Sequence, residues 1–251
     1  MSGTEDLQIK IIQEPSKDNP FIVIYKPSGL PSAPLKDGEQ NNAVFQAARL
    51  FPQIRTVSGK KKCEYGLLHR IDTDTRGLLV IASSQNAYET LLQEQKQHKF
   101  IKTYKALCRN KADTPVVLDA FPPQQGFYQD LLKNRCITVT SAFRPFGLKN
   151  AQVRPVTGSS GKSALKKSGK KLYTTKITLL KNASAEKIIP VECEIAEGYR
   201  HQIRAHLAWI GFPIAGDPLY DPSEETVLFN FEAFKISFFH PVTGKKITFT
   251  V

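Results

Sequence analysis

Acidic residues are missing from one long part of this sequence. No Asp or Glu occurs in residues 131–185, whereas the same segment holds twelve Lys and Arg residues. Its net charge therefore equals the formal +12 of the whole chain, which has 35 basic and 23 acidic residues. Such a polarised distribution of charge favours a polyanionic partner such as a nucleic acid. A solubilising, partly disordered loop would explain residues 158–171 equally well.

Cysteine is scarce, and its spacing excludes the common zinc motifs. The four cysteines stand far apart, no Cys-x-x-Cys pair occurs, and no histidine spacing suggests zinc. They are expected to be reduced, mostly buried thiols of a cytoplasmic protein. Residues 1–10 have no apolar core of a signal peptide, and no apolar run is long enough to cross a membrane. Residues 158–163 lack the spacing of a Walker A phosphate loop.

The pattern of apolar residues predicts more strands than helices. Residues 1–20 are interpreted as a polar lead-in, residues 21–251 as a single catalytic domain containing the basic segment 131–185, and residues 113–130 as a loop. Strands are predicted at 21–25, 66–68, 78–82, 100–109, 136–143, 172–180, 191–195, 227–231, 236–239 and 246–251. Helices are predicted at 42–51, at 201–210, and from a cap at Ser84 or Asn86 through 98. Because strands and helices do not alternate regularly, an α+β fold with a mixed, mainly antiparallel sheet is expected.

A dense group of charged residues lies between two apolar runs at residues 67–80. Asp72 stands beside Arg70, Asp74 and Arg76, and Gly77 closes the group. Asp72 is therefore expected where a strand ends, held by a rigid scaffold and able to reach a ligand. The alternative is an ordinary turn in which Asp72 only accepts backbone hydrogen bonds.

Two further segments carry residues suited to chemistry. On the helix predicted from residue 201, Arg200 and Arg204 are four residues apart and are expected to share a face, as are Gln202 and His206. A solvated helix face is the alternative, and the spacing of the histidines argues against a metal site. The strand at 100–109 places Lys102, Tyr104 and Ala106 on one side. A tyrosine between lysines can stack on a base, although a half-buried strand aromatic explains it too.

These segments together resemble the RluA class of RNA pseudouridine synthases, which isomerise uridine in RNA. The resemblance covers the chain from residue 21 onward, with the motifs in the family's order and spacing. The matching motifs are Lys26-Pro27-x-Gly29, His69-Arg70-Ile71-Asp72 with Thr75 and Gly77, Lys102-x-Tyr104-x-Ala106, His201-Gln202-Ile203-Arg204-x-His206-Leu207, Gly211-x-Pro213-Ile214, and Gly216-Asp217-x-x-Tyr220.

The resemblance implies a site and a mechanism. It implies a bent sheet flanked by helices, an active-site cleft across the sheet, and Asp72 as the nucleophile. Arg204 would keep this carboxylate ionised through an Asp72–Arg204 salt bridge, and Tyr104 would stack on the uracil and assist proton transfer. Arg70 would fill the space that the flipped uridine leaves. No cofactor and no metal are required, since the reaction transfers no group and changes no oxidation state.

The partner implied is structured RNA, either ribosomal or transfer RNA, bound by a protein that is expected to be a monomer. The residues expected to bind RNA are Arg70, Arg76, Arg200, His201, Lys102, Lys166, Lys167, Lys170 and Lys171. No S4-type RNA-binding domain is expected before residue 21. Ile71, Arg76, Tyr199 and Arg200 depart from the usual family pattern, which puts the specificity in doubt rather than the activity.

Two other functions remain open. A non-catalytic RNA-binding protein on the same fold would share the basic surface without needing Asp72. A nucleoside hydrolase or glycosidase acting at a ribose C1′ would require a second carboxylate or a metal, and Asp74 is the neighbouring candidate.

Overall fold

The chain folds into two compact units. The computed structural model describes residues 7–34, 36, 38–110, 119–123, 126–181, 187–221 and 227–251. The first unit comprises Met1–Lys102 and Glu232–Val251, and the second comprises Thr103–Phe231. A single catalytic domain at residues 21–251 stays a prediction.

The first unit is built on a mainly antiparallel sheet. Strand β2 (Phe21–Lys26) pairs antiparallel with β1 (Lys10–Gln13) and with β3 (Arg76–Ala82). Strand β9 (Phe231–Phe239) pairs parallel with β3 and antiparallel with β10 (Lys246–Thr250). β3 is buried along almost its whole length, so it fixes the register of its neighbours.

Two helices accompany this sheet, and each begins at a side chain that caps it. Asn42 accepts the Phe45 N–H at the start of α1 (Ala43–Leu50), and Ser84 accepts the Ala87 N–H at the start of α2 (Gln85–Lys96). These oxygens satisfy backbone donors that the first helical turn leaves without partners. The core cluster that includes α2 contains Phe21, Val23, Leu78, Val80, Tyr88, Leu91, Phe100 and Phe238.

The second unit contains five strands among the described residues. Its strands lie in the order β4 (Ile101–Arg109), β8 (Ile188–Ile195), β7 (Tyr173–Leu179), β5 (Cys136–Phe146) and β6 (Gln152–Val156). The pairs β5/β6, β5/β7 and β7/β8 are antiparallel.

The helices described in the second unit differ in how deeply they are buried. They are α3 (Phe127–Asn134), α4 (Lys162–Lys167) and α5 (Gln202–Trp209). All eight residues of α5 are buried, including one arginine and one histidine, whereas α4 is exposed on most of its surface. The polar residues of α5 therefore need partners inside the protein.

Most predicted elements are present within one to three residues, but several differ. Residues 66–68 form an isolated bridge at Leu67 and not a strand, and β9 begins only at Phe231, so the strand at 227–231 is wrong. β1 was missed within the polar lead-in, as were β6, α3 and α4. Residues 1–6 of the lead-in, 113–118 and 124–125 of the loop, and 182–185 of the basic segment lie outside the described residues.

All four cysteines are free thiols, as predicted, whereas the expectation that most of them are buried holds for only two. Cys108 and Cys193 are buried, Cys63 is partly buried and Cys136 is exposed. In the part of the chain that the structure describes, no helix combines the length and apolar character needed to span a membrane.

Candidate active site

Asp72 lies in a tight turn that its own unit holds firmly. The turn precedes β3, so the expectation that Asp72 ends a strand is wrong, because residues 66–68 do not form one. The Asp72 carbonyl accepts the Thr75 N–H at 3.1 Å, and the side chain is half-buried. Both neighbours of Asp72 are anchored: Ile71 exchanges two hydrogen bonds with the Ser32 hydroxyl, and the Thr73 carbonyl accepts the Gly29 N–H.

Lys26 is the central anchor of this turn. Its side chain is fully buried, and its ammonium donates to the carbonyl oxygens of Pro27 (2.8 Å), Leu30 (2.6 Å) and Thr73 (2.9 Å). Burial lowers the pKa of Lys26 to about 8, although the charges of Asp72 and Asp74 act in the opposite direction. The Lys-Pro-x-Gly segment therefore places a buried cation beside the predicted nucleophile.

Arg70 and His69 precede Asp72 and differ in exposure. The Arg70 side chain is 60% exposed and forms an ion pair with Glu64 at 3.2 Å. The imidazole of His69 packs edge-on against Phe100, and neither ring nitrogen has a hydrogen-bond partner among the described residues. Burial, together with the nearby charges of Lys102 and Lys60, holds the pKa of His69 well below its usual value. His69 is therefore a neutral packing residue, whereas Arg70 can reach a ligand.

Arg76 has a structural partner in the parallel pair of β3 and β9. Its Nε donates to Glu232 Oε1 at 3.2 Å, and the Tyr25 hydroxyl donates to the same oxygen at 2.7 Å. Burial and the hydrogen bond to Glu232 raise the pKa of Tyr25 to about 12. The next residue must be glycine, because Gly77 has φ +132° and a Cβ there would lie 2.4 Å from the Ala233 carbonyl oxygen.

Tyr104 is buried in the second unit. It lies in β4, is 6% exposed, and stacks on Phe231 with ring centroids 5.1 Å apart. Lys102 and Ala106, its neighbours two residues away, are also buried, and so is Thr103, so this part of β4 is covered on both sides. The Lys102 ammonium lies 5.8 Å from the centroid of the Phe100 ring.

Arg204 is held by a buried carboxylate. Its Nε and Nη2 each donate to one oxygen of Asp217 at 2.7 Å, and the two side chains are 3% and 0% exposed. Asp217 also accepts the N–H of Leu219 at 2.9 Å. The guanidinium lies 5.4 Å from the ring centroid of Tyr220 and 5.3 Å from that of Phe229. A solvated helix face is therefore the wrong interpretation of Arg204, whose fork is fixed in orientation.

Arg200 and His201 lie outside helix α5. The helix begins at Gln202, and His201 before it has φ +54°, so Arg200 and Arg204 do not share a helical face. Arg200 instead donates to the carbonyl oxygens of Asn150 and Gln152. The His201 ring lies 3.2 Å from the Tyr220 hydroxyl. Both residues thus help to hold the segments packed around α5.

Gln202 and His206 do share a face, as predicted. The Gln202 amide donates to Thr175 Oγ1 at 3.0 Å, and His206 Nδ1 lies 2.8 Å from the same oxygen. His206 Nε2 is 2.9 Å from the Ser141 hydroxyl. Burial lowers the pKa of His206 to about 3, so the imidazole is neutral. No group of three or more His, Cys, Asp or Glu residues suited to a metal ion occurs in the described ranges.

The lysines predicted to bind RNA lie on and after α4. Lys166, Lys167, Lys170 and Lys171 are all exposed. Lys171 forms an ion pair with Glu197 and lies 5.8 Å from the centroid of the Tyr173 ring. The segment is helical at residues 162–167, so residues 158–171 are not loop along their whole length.

The predicted site residues divide between the two units, with Asp72, Arg70, Arg76 and Lys102 in the first and the others in the second. The Asp72–Arg204 salt bridge stays a prediction. Sequence reasoning gave no role to Lys26 or Asp217, although both stand in motifs that carry the family resemblance. A charged residue in an otherwise apolar or turn-forming motif was the signal that could have identified them.

Comparison with known proteins assigns the family. The family model described as RNA pseudouridylate synthase matches residues 20–209, which is more than half of the chain. A relative from Zymomonas mobilis named ribosomal large subunit pseudouridine synthase D is 27% identical, over 98% of this chain and 69% of its own length. An Aquifex aeolicus relative, named as an uncharacterized RNA pseudouridine synthase, is also 27% identical, over 98% of this chain and 70% of its own. The chain spans 65% and 66% of two Bacillus subtilis relatives with the same general name.

Solved structures show the same fold. Human RNA pseudouridylate synthase domain containing 1 has a TM-score of 0.63 at 17% identity, covering 100% of this chain and 86% of its own. Human RNA pseudouridylate synthase domain containing 4 has a TM-score of 0.60, also at 17% identity, covering 96% and 87%. The predicted α+β fold with a large, mainly antiparallel sheet is thereby confirmed. The resemblance read from the motifs is confirmed as well: this chain belongs to the RNA pseudouridylate synthase family.

Proposed function

We propose that this chain isomerises uridine in structured RNA to pseudouridine, with Asp72 as the nucleophile acting on a flipped uridine. The observation that carries the proposal is the anchored Asp72 turn in a chain of this family. The isomerisation breaks the N1–C1′ bond, turns the detached uracil and joins its C5 to C1′. A carboxylate can form or stabilise the ribose-centred intermediate and then leave, so the product has the mass of the substrate.

The surroundings of Asp72 support this role. The carboxylate is half-buried, the ammonium of Lys26 contributes a nearby positive charge, and the residues on both sides of Asp72 are fixed by hydrogen bonds. A nucleophile held in one orientation loses little freedom on reaching the transition state. The turn therefore supplies both a position and a charged environment for a carboxylate that must react while shielded from water.

We further propose that Arg204 pairs with Asp72. Asp217 engages Nε and Nη2 of Arg204 and so fixes the plane of the guanidinium. A guanidinium that one carboxylate already holds in a fixed orientation can pair with a second carboxylate without losing further rotamer freedom. Asp217 would then act as a positioning residue for the cation that keeps Asp72 ionised.

Tyr104 and Arg70 would handle the flipped base. Tyr104 is fixed against Phe231 and would stack on the uracil, which is a safer role for an intact tyrosine than proton abstraction near neutral pH. Arg70, whose side chain is 60% exposed, would fill the space left in the RNA. Lys102, Arg76, Arg200 and His201 keep their proposed contribution to RNA binding, although each also has contacts within the protein.

Ribosomal RNA is the favoured substrate, because relatives are named for the ribosomal large subunit, and transfer RNA is the alternative. The exposed lysines of residues 162–171 would hold the phosphate backbone. A monomer in the cytoplasm, acting without metal or cofactor, completes the proposal.

A turnover assay on ribosomal and transfer RNA transcripts tests the proposal. The wild-type protein should produce pseudouridine, and Asp72→Asn should lose turnover while RNA binding survives. Asp74→Asn is the matched control, because Asp74 is an exposed carboxylate two residues away in the same turn. It should retain most of the activity.

Three outcomes would contradict the proposal. Equal turnover in Asp72→Asn and the wild type would exclude Asp72 as the nucleophile. RNA binding without turnover on any transcript would indicate a non-catalytic RNA-binding protein. Release of free uracil in place of a product of unchanged mass would indicate a hydrolase.

A further inference from the structure

Two partly exposed tyrosines border the aromatic core of the second unit. Tyr199 stacks on Phe143 with ring centroids 5.0 Å apart and planes 6° apart. Tyr173 tilts against both rings, at 5.9 Å from Phe143 and 5.1 Å from Tyr199. Phe143 is 2% exposed, whereas both tyrosines remain partly exposed. Phe143, Tyr173 and Tyr199 are called the tyrosine platform below.

The platform is held rigidly by the surrounding backbone. Tyr173 is the first residue of β7 and pairs with Ser141 of β5. The N–H of Tyr199 donates to the Gln202 side chain at 2.9 Å, and the Gln202 amide donates to the Thr174 carbonyl at 3.0 Å. Gln202 therefore ties the two tyrosine-bearing segments together. Rings that are fixed in advance lose little entropy when a ligand stacks on them.

A lysine lies over one ring of the platform. Gly169 N–H donates to the Phe143 carbonyl at 3.2 Å, which brings the lysine-rich segment after α4 against it. Lys170 follows directly and is exposed, and the Lys171 side chain is 58% exposed and lies over the ring of Tyr173. Glu197 pairs with Lys171, so a phosphate would have to compete with this carboxylate.

We propose that the tyrosine platform binds an unpaired base of the substrate RNA by stacking, while Lys170 and Lys171 hold the adjoining phosphates. Partly exposed aromatic rings bordered by cations are the combination that binds single-stranded nucleic acid without strong sequence preference. The identity of the ligand as RNA rests on the proposed function. The platform would hold single-stranded nucleotides of that RNA.

The test is a binding titration of the full-length protein with a short, fluorescently labelled oligouridine over a range of salt concentrations. Tyr173→Leu/Tyr199→Leu should weaken binding by about five- to a hundredfold, the range expected for losing one stacked base. Tyr173→Phe/Tyr199→Phe keeps both rings and should bind like the wild type. Leu172→Ala alters an exposed neighbour of the platform and should also bind like the wild type.

The salt dependence separates stacking from charge. The leucine variant should keep the wild-type slope of log affinity against log salt, because it removes no phosphate contact. Glu197→Gln frees Lys171 from its carboxylate partner and should strengthen binding. Wild-type affinity in the leucine variant, or an equal loss in the phenylalanine variant, would overturn the proposal.

Cross-linking needs no variant and covers the case in which the leucine variant does not fold. A 4-thiouridine oligonucleotide irradiated with the wild-type protein should attach within residues 170–173 or at Tyr199. Attachment only elsewhere would overturn the proposal. If the wild type binds and cross-links oligouridine at the platform but isomerises no RNA, the proposed function fails while the platform stands. If the wild type isomerises RNA but the leucine variant binds oligouridine like the wild type, the platform fails while the proposed function stands.

Discussion

Arg76 and Tyr199 depart from the family pattern, and the structure gives both a physical partner. Arg76 stands opposite Glu232 in the parallel pair of β3 and β9, and Glu232 also accepts the hydroxyl of Tyr25. Tyr199 stacks on Phe143. Neither partner could be found from the sequence, because Arg76 and Glu232 are 156 residues apart and no local pattern joins them. The proposed role of Asp72, by contrast, follows from its motif.

At the residue scale, Lys26→Met tests the anchor of the Asp72 turn. The change removes the ammonium and leaves the carbonyl oxygens of Pro27, Leu30 and Thr73 without its three hydrogen bonds. We expect the free energy of unfolding to fall by about 3 kcal/mol, since buried acceptors without donors are costly. Turnover should fall as well, because the residue next to Asp72 loses an anchor. Urea unfolding and the turnover assay measure the two effects.

Lys17→Met is the matched control for this prediction. Lys17 is exposed, so the same substitution there should change neither stability nor turnover appreciably. A Lys26→Met variant that unfolds at the wild-type urea concentration would show that the three hydrogen bonds do not hold the turn.

At the scale of elements, the sequence predicted the helices and strands that follow from hydrophobic periodicity and helix capping. Ser84, one of the two expected caps, begins α2, and β4 lies within one residue of its predicted bounds, whereas β9 begins five residues before the strand predicted at 236–239. β6 was missed because it contains Pro155, which argues against a strand. The strand is found at the end of the sheet order, where a missing N–H is tolerated. The start of α5 was misplaced because His201 adopts a left-handed conformation that no spacing reveals.

Helix α5 supplies a prediction on pH dependence. His206 is buried and neutral, with its pKa lowered to about 3 from an unfolded value near 6.5. The unfolded chain therefore binds a proton that the folded chain does not between these pH values. The contribution of His206 to stability is complete above pH 6.5 and is lost progressively as the pH falls towards 3. Between pH 6.5 and pH 4 this loss should reach about 3 kcal/mol.

His206→Gln removes the titration. The free energy of unfolding of the wild type minus that of the variant should fall by about 3 kcal/mol between pH 6.5 and pH 4. Urea unfolding at several pH values from 8 to 4 measures this difference. The exposed His98, changed to Asn, serves as the control and should give a curve parallel to the wild type. Parallel curves for wild type and His206→Gln would show that the buried imidazole does not drive the acid sensitivity.

At the scale of the whole molecule, charge is concentrated in residues 131–185, and the described lysines of 162–171 are exposed. Changing Lys166, Lys167, Lys170 and Lys171 together to Gln should weaken RNA binding. If all four contact phosphates, the slope of log affinity against log salt should become less steep by about three. A titration at several salt concentrations measures this change.

The control carries the same loss of charge elsewhere in the molecule. Lys17, Lys36, Lys245 and Lys246 are exposed lysines outside the basic segment, and changing all four to Gln should leave the slope near its wild-type value. An unchanged slope in the first variant, or an equal change in both variants, would contradict a specific RNA-binding role for the segment.

The central claim is that this chain makes pseudouridine in RNA through Asp72. Its most direct test is to map pseudouridines in total RNA from cells that lack the gene and from cells that carry the wild type, Asp72→Asn or Asp74→Asn. The account predicts at least one position that is modified with the wild type and with Asp74→Asn, and unmodified without the gene and with Asp72→Asn. An identical map in all four strains would contradict it.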